Sequence, residues 1–316
     1  MNSISLSVVG NRKRSKGPME HSEPDKATAV RAARLYLYRW LAAAATDPAV
    51  AGWRLLQDAQ LQAEASAAAE YLRQLPEARP EAVAPGEIES TLLDTTQMIS
   101  FLDTETDWAA EYMAVFGLLG SQECPPYETD YCPQTLSVYR AQQLADIAGF
   151  YAAFGLEPST RRPEKQDHIT LELEFMAWLI AKEQYALSND ITDGVAKAEA
   201  CRDAQETFFQ NHLAWWVPAF AFALRKKTDG LEDPAERTAP PASFYGSLGH
   251  MLAAFISVER ALLGVEPPVE LAAVRVEDPA SVSCEGCGFA DASAAPGAQQ
   301  MPSKEVQEAQ AKRHGE

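Results

Sequence analysis

Apolar residues recur at three- and four-residue spacing along most of this 316-residue chain. That period belongs to helices, because strands expose and bury alternate residues. No strand-like alternation stands out, and no Asn-Gly or Asp-Gly hairpin signal is framed by apolar runs. Val30, Ala33, Leu37, Trp40, Leu41 and Ala44 form one stripe over residues 26–46, stopped by Asp47-Pro48. Trp53, Leu56, Ala63 and Ala67 share a side of a second helix over 49–75, and Ile88, Leu92 and Ile99 a third over 87–102. A fourth, 107–119, carries Trp108, Tyr112, Val115, Phe116 and Leu119 on one face. A fifth, 134–154, meets Gly155 as a natural cap. A sixth starts near Asp167 and runs to 187, and a seventh covers 193–212. An eighth holds Trp215, Trp216, Phe220 and Phe222, with Pro218 as a kink or an early turn. A ninth over 242–263 buries Phe244, Leu248, Met251, Leu252, Phe255 and Val258. The expectation is an all-α fold: a single helical-bundle domain of about nine helices over 27–265. An irregular basic tail, 1–26, and an extended tail, 266–316, flank it.

The hydrophobic fraction, 47%, is too high for a disordered chain, so a core can form. Lys and Arg number 27 against 45 Asp and Glu, a formal charge of −18. Phosphate binding runs on clustered cations, so a nucleic-acid partner is excluded. The most apolar stretch, 213–224, is interrupted by Pro218 and is shorter than the roughly 20 residues a membrane span needs, so no stable insertion is expected. Arg12, Lys13, Arg14 and Lys16 form a basic patch, but the weakly apolar Ile4–Val9 segment precedes it, the reverse of an export signal. Met19 is a second candidate start. Five cysteines in a chain of this length do not make a disulfide framework, which points to a reducing cytoplasm. Cys284 and Cys287 form a C-x-x-C in the polar tail, and Cys124 and Cys132 would complete four ligands. A helical metal- or iron–sulfur-binding protein is therefore one alternative; a tail with incidental thiols is the other, and no cofactor is expected.

Catalytic signatures are missing. None of the five histidines has a Glu three residues before it, which removes the paired Glu-x-x-His di-metal pattern. H-E-x-x-H, G-x-S-x-G, the P-loop and G-x-G-x-x-G are absent too. Two polar segments stand out instead. In the sixth helix, Asp167 sits at the expected N-cap, and His168 and Glu172 share a face. Glu172 and Glu174 are interleaved there with Leu171, Leu173, Phe175 and Met176. The interleaving suits a groove for a ligand part apolar and part cationic, although a capped helix with a solvated acidic side would read the same way. An acid/base pair of His168 with Glu172 is a further reading, without a nucleophile or oxyanion motif to accompany it. The second segment is Pro125-Pro126-Tyr127-Glu128-Thr129-Asp130-Tyr131. Its prolines hold it extended. Rings and carboxylates together can take apolar side chains and guanidinium groups, or the tyrosines can simply pack.

These segments, with Glu111-Tyr112, Val115-Phe116-Gly117, the run Gln143–Tyr151, and Phe154-Gly155-Leu156, resemble the TorD/DmsD/NarJ family of molybdoenzyme-specific chaperones over about residues 27–265. The resemblance implies a non-enzymatic cytoplasmic chaperone, monomeric or dimeric. Its partner would be the apo catalytic subunit of a molybdopterin-dependent oxidoreductase, bound through a twin-arginine leader or another N-terminal part until the cofactor is inserted. It places Asp167 and His168 in the peptide-binding region, with the Tyr127–Tyr131 loop nearby. Two departures stand: Pro163 lies four residues before Asp167, where the family's proline is adjacent, and the Cys284/Cys287 tail is not a family feature. On this reading Glu128, Asp130, Asp167, Glu172 and Glu174 supply anionic contacts. Trp108, Tyr112, Phe116, Tyr127 and Tyr131 supply an apolar wall, and His168 orients the loop or tunes binding with pH.

Overall fold

A computed structural model describes residues 25–117, 121–133, 137–157, 164–233 and 241–274. All of them belong to one unit of the chain, Met1–Arg275. Among the described residues there are nine α-helices and no strand, only an isolated antiparallel bridge between Tyr127 and His168. No helix there is long and apolar enough to cross a membrane.

Helix α1 (Lys26–Ala45) begins at Asp25, whose side chain accepts from Thr28 N, and it lies at the centre. It packs against α2 (Ala59–Gln74), α6 (Ile169–Ser188) and α9 (Phe244–Leu263). Leu37 and Leu41 of α1, Leu173 and Ile180 of α6, and Leu252, Phe255 and Ile256 of α9 are fully buried in that core. Helix α7 (Gly194–Phe208) pairs with α6, and α8 (Ala214–Asp229) with α9. The α8–α9 contact is close enough that a Cβ on Gly249 would stand 2.8 Å from the Ala221 carbonyl oxygen. Short helices α3 (Thr96–Leu102) and α4 (Trp108–Phe116), and the more peripheral α5 (Ser137–Ala153), complete the unit.

Three expected elements take another form. The second helix is two pieces, a 3-10 turn over Ala51–Gln57 and then α2, because Asp58 caps a new start by accepting from Gln60 N and Leu61 N. The third shrinks to a 3-10 turn at Ser90–Leu92 and the short α3. The Glu87 carboxylate is drawn into the core by Arg260, so the backbone there follows a tertiary contact. The seventh and eighth are continuous: α7 passes through a π-turn at Phe209–Leu213 straight into α8, with Pro218 inside the helix. Gly155 does take a positive φ, 71°, just beyond α5. The expected ends at Leu119 and Gln134, residues 1–24 and 275–316 of the tails, and residues 234–240 lie outside the described residues; the start of the expected extended tail, 266–274, is described, and its Leu271, Ala272 and Val274 pack against the core.

Two buried ion pairs hold α1, α9 and the 82–87 segment. Arg34 donates to both oxygens of Glu259 at 2.7 Å, and Tyr38 Oη donates to the same carboxylate at 2.8 Å. Arg260 donates to both oxygens of Glu87 at 2.9 and 2.7 Å. Bidentate geometry of this kind is what makes a buried pair tolerable.

Candidate binding site

The proline-rich loop is tied edge-on to the start of α6. Pro126 O accepts from Ile169 N at 2.9 Å, and Glu128 N donates to Asp167 O at 3.0 Å. His168, not Asp167, is the N-cap: its Nδ1 accepts from Thr170 N at 3.2 Å. An accepting Nδ1 carries no proton, so the ring is neutral with its proton on Nε2. Burial pushes this histidine's pKa down, against the pull of Glu164 and Asp167. Asp167 reaches back across the loop, where its Oδ2 accepts from Thr129 N at 3.1 Å and Thr129 Oγ1 at 2.6 Å.

Beneath the loop, three fully buried carboxyls converge: Glu128, Asp167 and Glu172. Glu128 accepts from Gln143 Nε2 at 2.6 Å and from Trp215 Nε1 at 3.1 Å. His212 Nδ1 lies 3.1 Å from the same carboxyl. Glu172 accepts from Trp216 Nε1 at 3.1 Å. Burial first, and then the neighbouring Glu128 and Asp167, push Glu172 far above the usual carboxyl range. Two adjacent buried carboxyls cannot both ionise. Burial pushes Glu128 up too, against the pull of His212 and Gln143, but Glu172 is pushed further and is the carboxyl that holds the proton. The π-turn supplies the geometry. It widens the α7–α8 helix so that His212, Trp215 and Trp216 reach the cluster; such turns recur at functional sites.

Outside the cluster lies a rim of half-buried rings. Trp108 packs on Trp53 and Phe244, at centroid distances of 5.3 and 5.2 Å. Tyr112 packs on Phe116 at 4.7 Å. Tyr127 stands edge-on to His168 at 5.1 Å, and its hydroxyl donates to Glu164 at 3.1 Å. Burial, and then the anionic neighbours Asp47 and Glu164, raise the Tyr112 phenol. Tyr127 is raised by burial and then by Glu164. Asp47, Glu111 and Glu164 are all exposed here, beside rings that keep an apolar surface.

The sequence-predicted residues therefore fall into three settings. Glu128, Asp167 and Glu172 come together but are sealed inside, where they brace the loop. Tyr131 and Phe116 are buried as well, Tyr131 against Trp216 at 5.4 Å and Phe116 against Tyr245 at 5.3 Å. Trp108, Tyr112 and Tyr127 line the half-open rim. Asp130 is partly exposed and pairs with Arg140 at 2.8 Å, and Glu174 is exposed on α6. The sequence reading missed His212, Gln143, Asp146 and Glu164. Gln143 and Asp146 stood inside a quoted motif; His212 had no motif around it, only its place in an aromatic run.

Cys124 and Cys132 are buried thiols. Burial raises the pKa of Cys124, and raises that of Cys132 to about 11, the direction opposite to a thiolate ligand. Cys284 and Cys287 lie outside the described residues. Among the described residues no group of three or more His, Cys, Asp or Glu is arranged to hold a metal ion.

Fold and site together define, among the described residues, an all-helical protein whose proline-rich loop is braced over buried carboxyls and edged by an acidic, aromatic rim. The family model described as the nitrate reductase delta subunit matches residues 58–221, and the chain belongs to that family, the TorD/NarJ group. Among curated relatives, it is 29% identical over 168 residues to the selenate reductase assembly chaperone protein of Thauera selenatis, covering 50% of this chain and 72% of that protein. It is 28% identical over 167 residues to the chlorate reductase assembly chaperone protein of Ideonella dechloratans, covering 50% and 71%. It is 28% identical over 120 residues to the chaperone protein TorD of Vibrio cholerae, covering 38% and 50%.

Proposed function

We propose that this protein is an assembly chaperone for the catalytic subunit of a molybdenum-dependent reductase, acting in the cytoplasm by binding and without turnover. Family membership and the names of its relatives support the chaperone role. The observation that carries the binding mode is the rim, where Trp108, Tyr112 and Tyr127 stand beside the exposed carboxylates of Asp47, Glu111 and Glu164. A twin-arginine leader joins an Arg pair to an apolar stretch, and this rim offers anions and rings to the former next to apolar surface for the latter. The formal charge of −18 adds long-range attraction for a cationic segment. Asp167, His168 and Glu172 serve this site by fixing the loop, and Glu128 by fixing its floor.

Calorimetric titration with a synthetic peptide, an Arg pair followed by an apolar stretch, tests the reading. Saturable binding that weakens with salt is expected. Tyr127→Ala with Glu164→Gln should weaken it about tenfold, or about 1.4 kcal/mol. Unchanged affinity in that double variant removes the rim from the site, and no saturation by the wild type removes the leader as ligand.

A further inference from the structure

The acidic surface of this chain has a cationic counterpart in its own sequence. Residues 1–18 carry Arg12, Lys13, Arg14 and Lys16 and no acidic side chain, whereas the other 298 residues carry 23 basic against 45 acidic. The rim is an anionic surface that such a segment fits. Asp47, Glu111 and Glu164 are exposed on it, and among the described residues none of the three is in an ion pair. Lys165 Nζ lies 4.6 Å from the centre of the Tyr127 ring, so that ring already takes a cation on its face. Behind the rim sits Tyr245, fully buried, whose hydroxyl has no hydrogen-bond partner among the described residues. Its ring packs on Phe116 at 5.3 Å and Tyr112 at 6.2 Å, and its hydroxyl is close enough to Tyr112, Asp47 and Glu111 to feel their charge. A buried hydroxyl left unpaired is costly, and a guanidinium N–H entering past the half-buried Tyr112 would satisfy it. The reach is also right. Helix α1 separates Asp25 from Asp47, and its 20 residues span about 30 Å. From Asp25 back to Arg14 is 11 residues of chain, enough to extend roughly 36–40 Å. The weakly apolar Ile4–Val9 adjoins the basic cluster, and Met113, on the same short helix as Tyr112, is 44% exposed to receive it.

We propose that the chain's own basic segment, Arg12–Lys16, docks on this rim when no client is bound, so that the protein is partly self-occupied and a client has to displace it. The proposal rests on the rim being the binding surface and adds a regulator of it. A tether of this length presents its end at an effective concentration on the order of 1 mM, well above that of any second copy, so the segment occupies the rim of its own chain. A self-contact a few-fold tighter than that concentration lowers the apparent affinity of any rim ligand several-fold. The contact is held by charge, so it weakens with salt together with the binding it opposes.

Zero-length carbodiimide cross-linking of the full chain, with no peptide present and with light and heavy-isotope protein mixed, tests this directly. Amide links from Lys13 or Lys16 to Asp47, Glu111 or Glu164 within one chain are expected, and 1 M salt, where the Debye length is about 3 Å, should suppress them. Links to other carboxylates only overturn the proposal, and so do links found only between light and heavy chains, which would assign the segment to a second copy. Calorimetry with the Arg-pair peptide is the second measurement. The full-length variant Arg12→Gln, Lys13→Gln, Arg14→Gln, Lys16→Gln should bind it about fivefold more tightly than wild type. Losing four positive charges also raises long-range attraction, so the same substitutions are made on Tyr127→Ala with Glu164→Gln, where the gain should fall below about twofold. An undiminished gain there is a general charge effect and overturns docking on the rim. Equal affinity in wild type and the four-site variant overturns self-occupancy and leaves the leader reading standing. No saturation by either overturns the leader reading, and the cross-links then decide this proposal alone.

Discussion

Around α9, Arg34 faces Glu259 and Arg260 faces Glu87, one guanidinium for each carboxylate. Beneath the proline-rich loop, Glu128, Asp167 and Glu172 are buried with no guanidinium among them, only the imidazoles of His212 and of His168, which burial keeps neutral. The first arrangement is closed: every charge has a bidentate partner, and the pairs tie α1 and the 82–87 segment to α9. The second is left acidic, so a proton has to be retained on Glu172 and the π-turn has to deliver a histidine and two indoles. Charge that is fully matched serves the fold. Charge that is buried without a full match costs stability, and it lies where the loop, α5 and α6 meet, beneath the proposed binding rim.

Breaking the matched region should have the largest effect. Glu259→Ala strands Arg34 and the Tyr38 hydroxyl, and an unpaired buried guanidinium costs about 3–5 kcal/mol. Urea denaturation should place its midpoint far below that of wild type, and loss of less than about 1 kcal/mol would erase the contrast between the regions.

The acidic region should respond in the opposite direction. Glu172 binds its proton more tightly folded than unfolded, because burial, Glu128 and Asp167 all disfavour its ionised form. Above the unfolded value of 4.5, folding therefore takes up a proton, and this group's contribution falls as pH rises towards the folded value. Glu172→Gln keeps a donor for Glu128 and an acceptor for Trp216 without that requirement. It should stabilise the protein by about 1–3 kcal/mol at pH 8 and give little difference at pH 5. Urea midpoints at the two pH values measure this, and an equal destabilisation at both would show that the pair is matched after all.

Asp167 sharpens the comparison at a smaller scale. Asp167→Ala removes the acceptor for Thr129 N and Oγ1 but also relieves repulsion on Glu172. A net loss of about 1 kcal/mol is expected, with the Thr129 amide exchanging hydrogen far faster. Asp167→Asn keeps the acceptor and should stay near wild type on both measures. The smallest effect lies outside both regions: Gly149→Ala should stabilise by about 0.5–1 kcal/mol, read as a rise in melting temperature.

Most of the helices were legible because their stripes are long. Val30 to Ala44 in α1 and Phe244 to Val258 in α9 are positions that only a 3.6-residue period brings to one side. The errors fall where local pattern and tertiary demand disagree. Ile88 and Leu92 fit a helical period, but Glu87 is held by Arg260 and the backbone between them turns away. The π-turn at Phe209–Leu213 has no composition signal, since one extra residue in a helical turn changes no residue type.

The amino-acid sequence alone settled the helical class, the acidity, the lack of a membrane-length helix among its apolar runs and the family-like motifs from Glu111 to Met176. Those depend on local spacing and on totals, which need no knowledge of neighbours in space. Only the tertiary structure decided which carboxylates are available. Glu128, Asp167 and Glu172 look as accessible in the sequence as Glu164 or Asp146, yet they are sealed under the loop by contacts from Thr129, His212 and Trp216. Burial of a polar side chain is set by what distant segments place against it, and that information lies in the packing of α5 and α8 on α6.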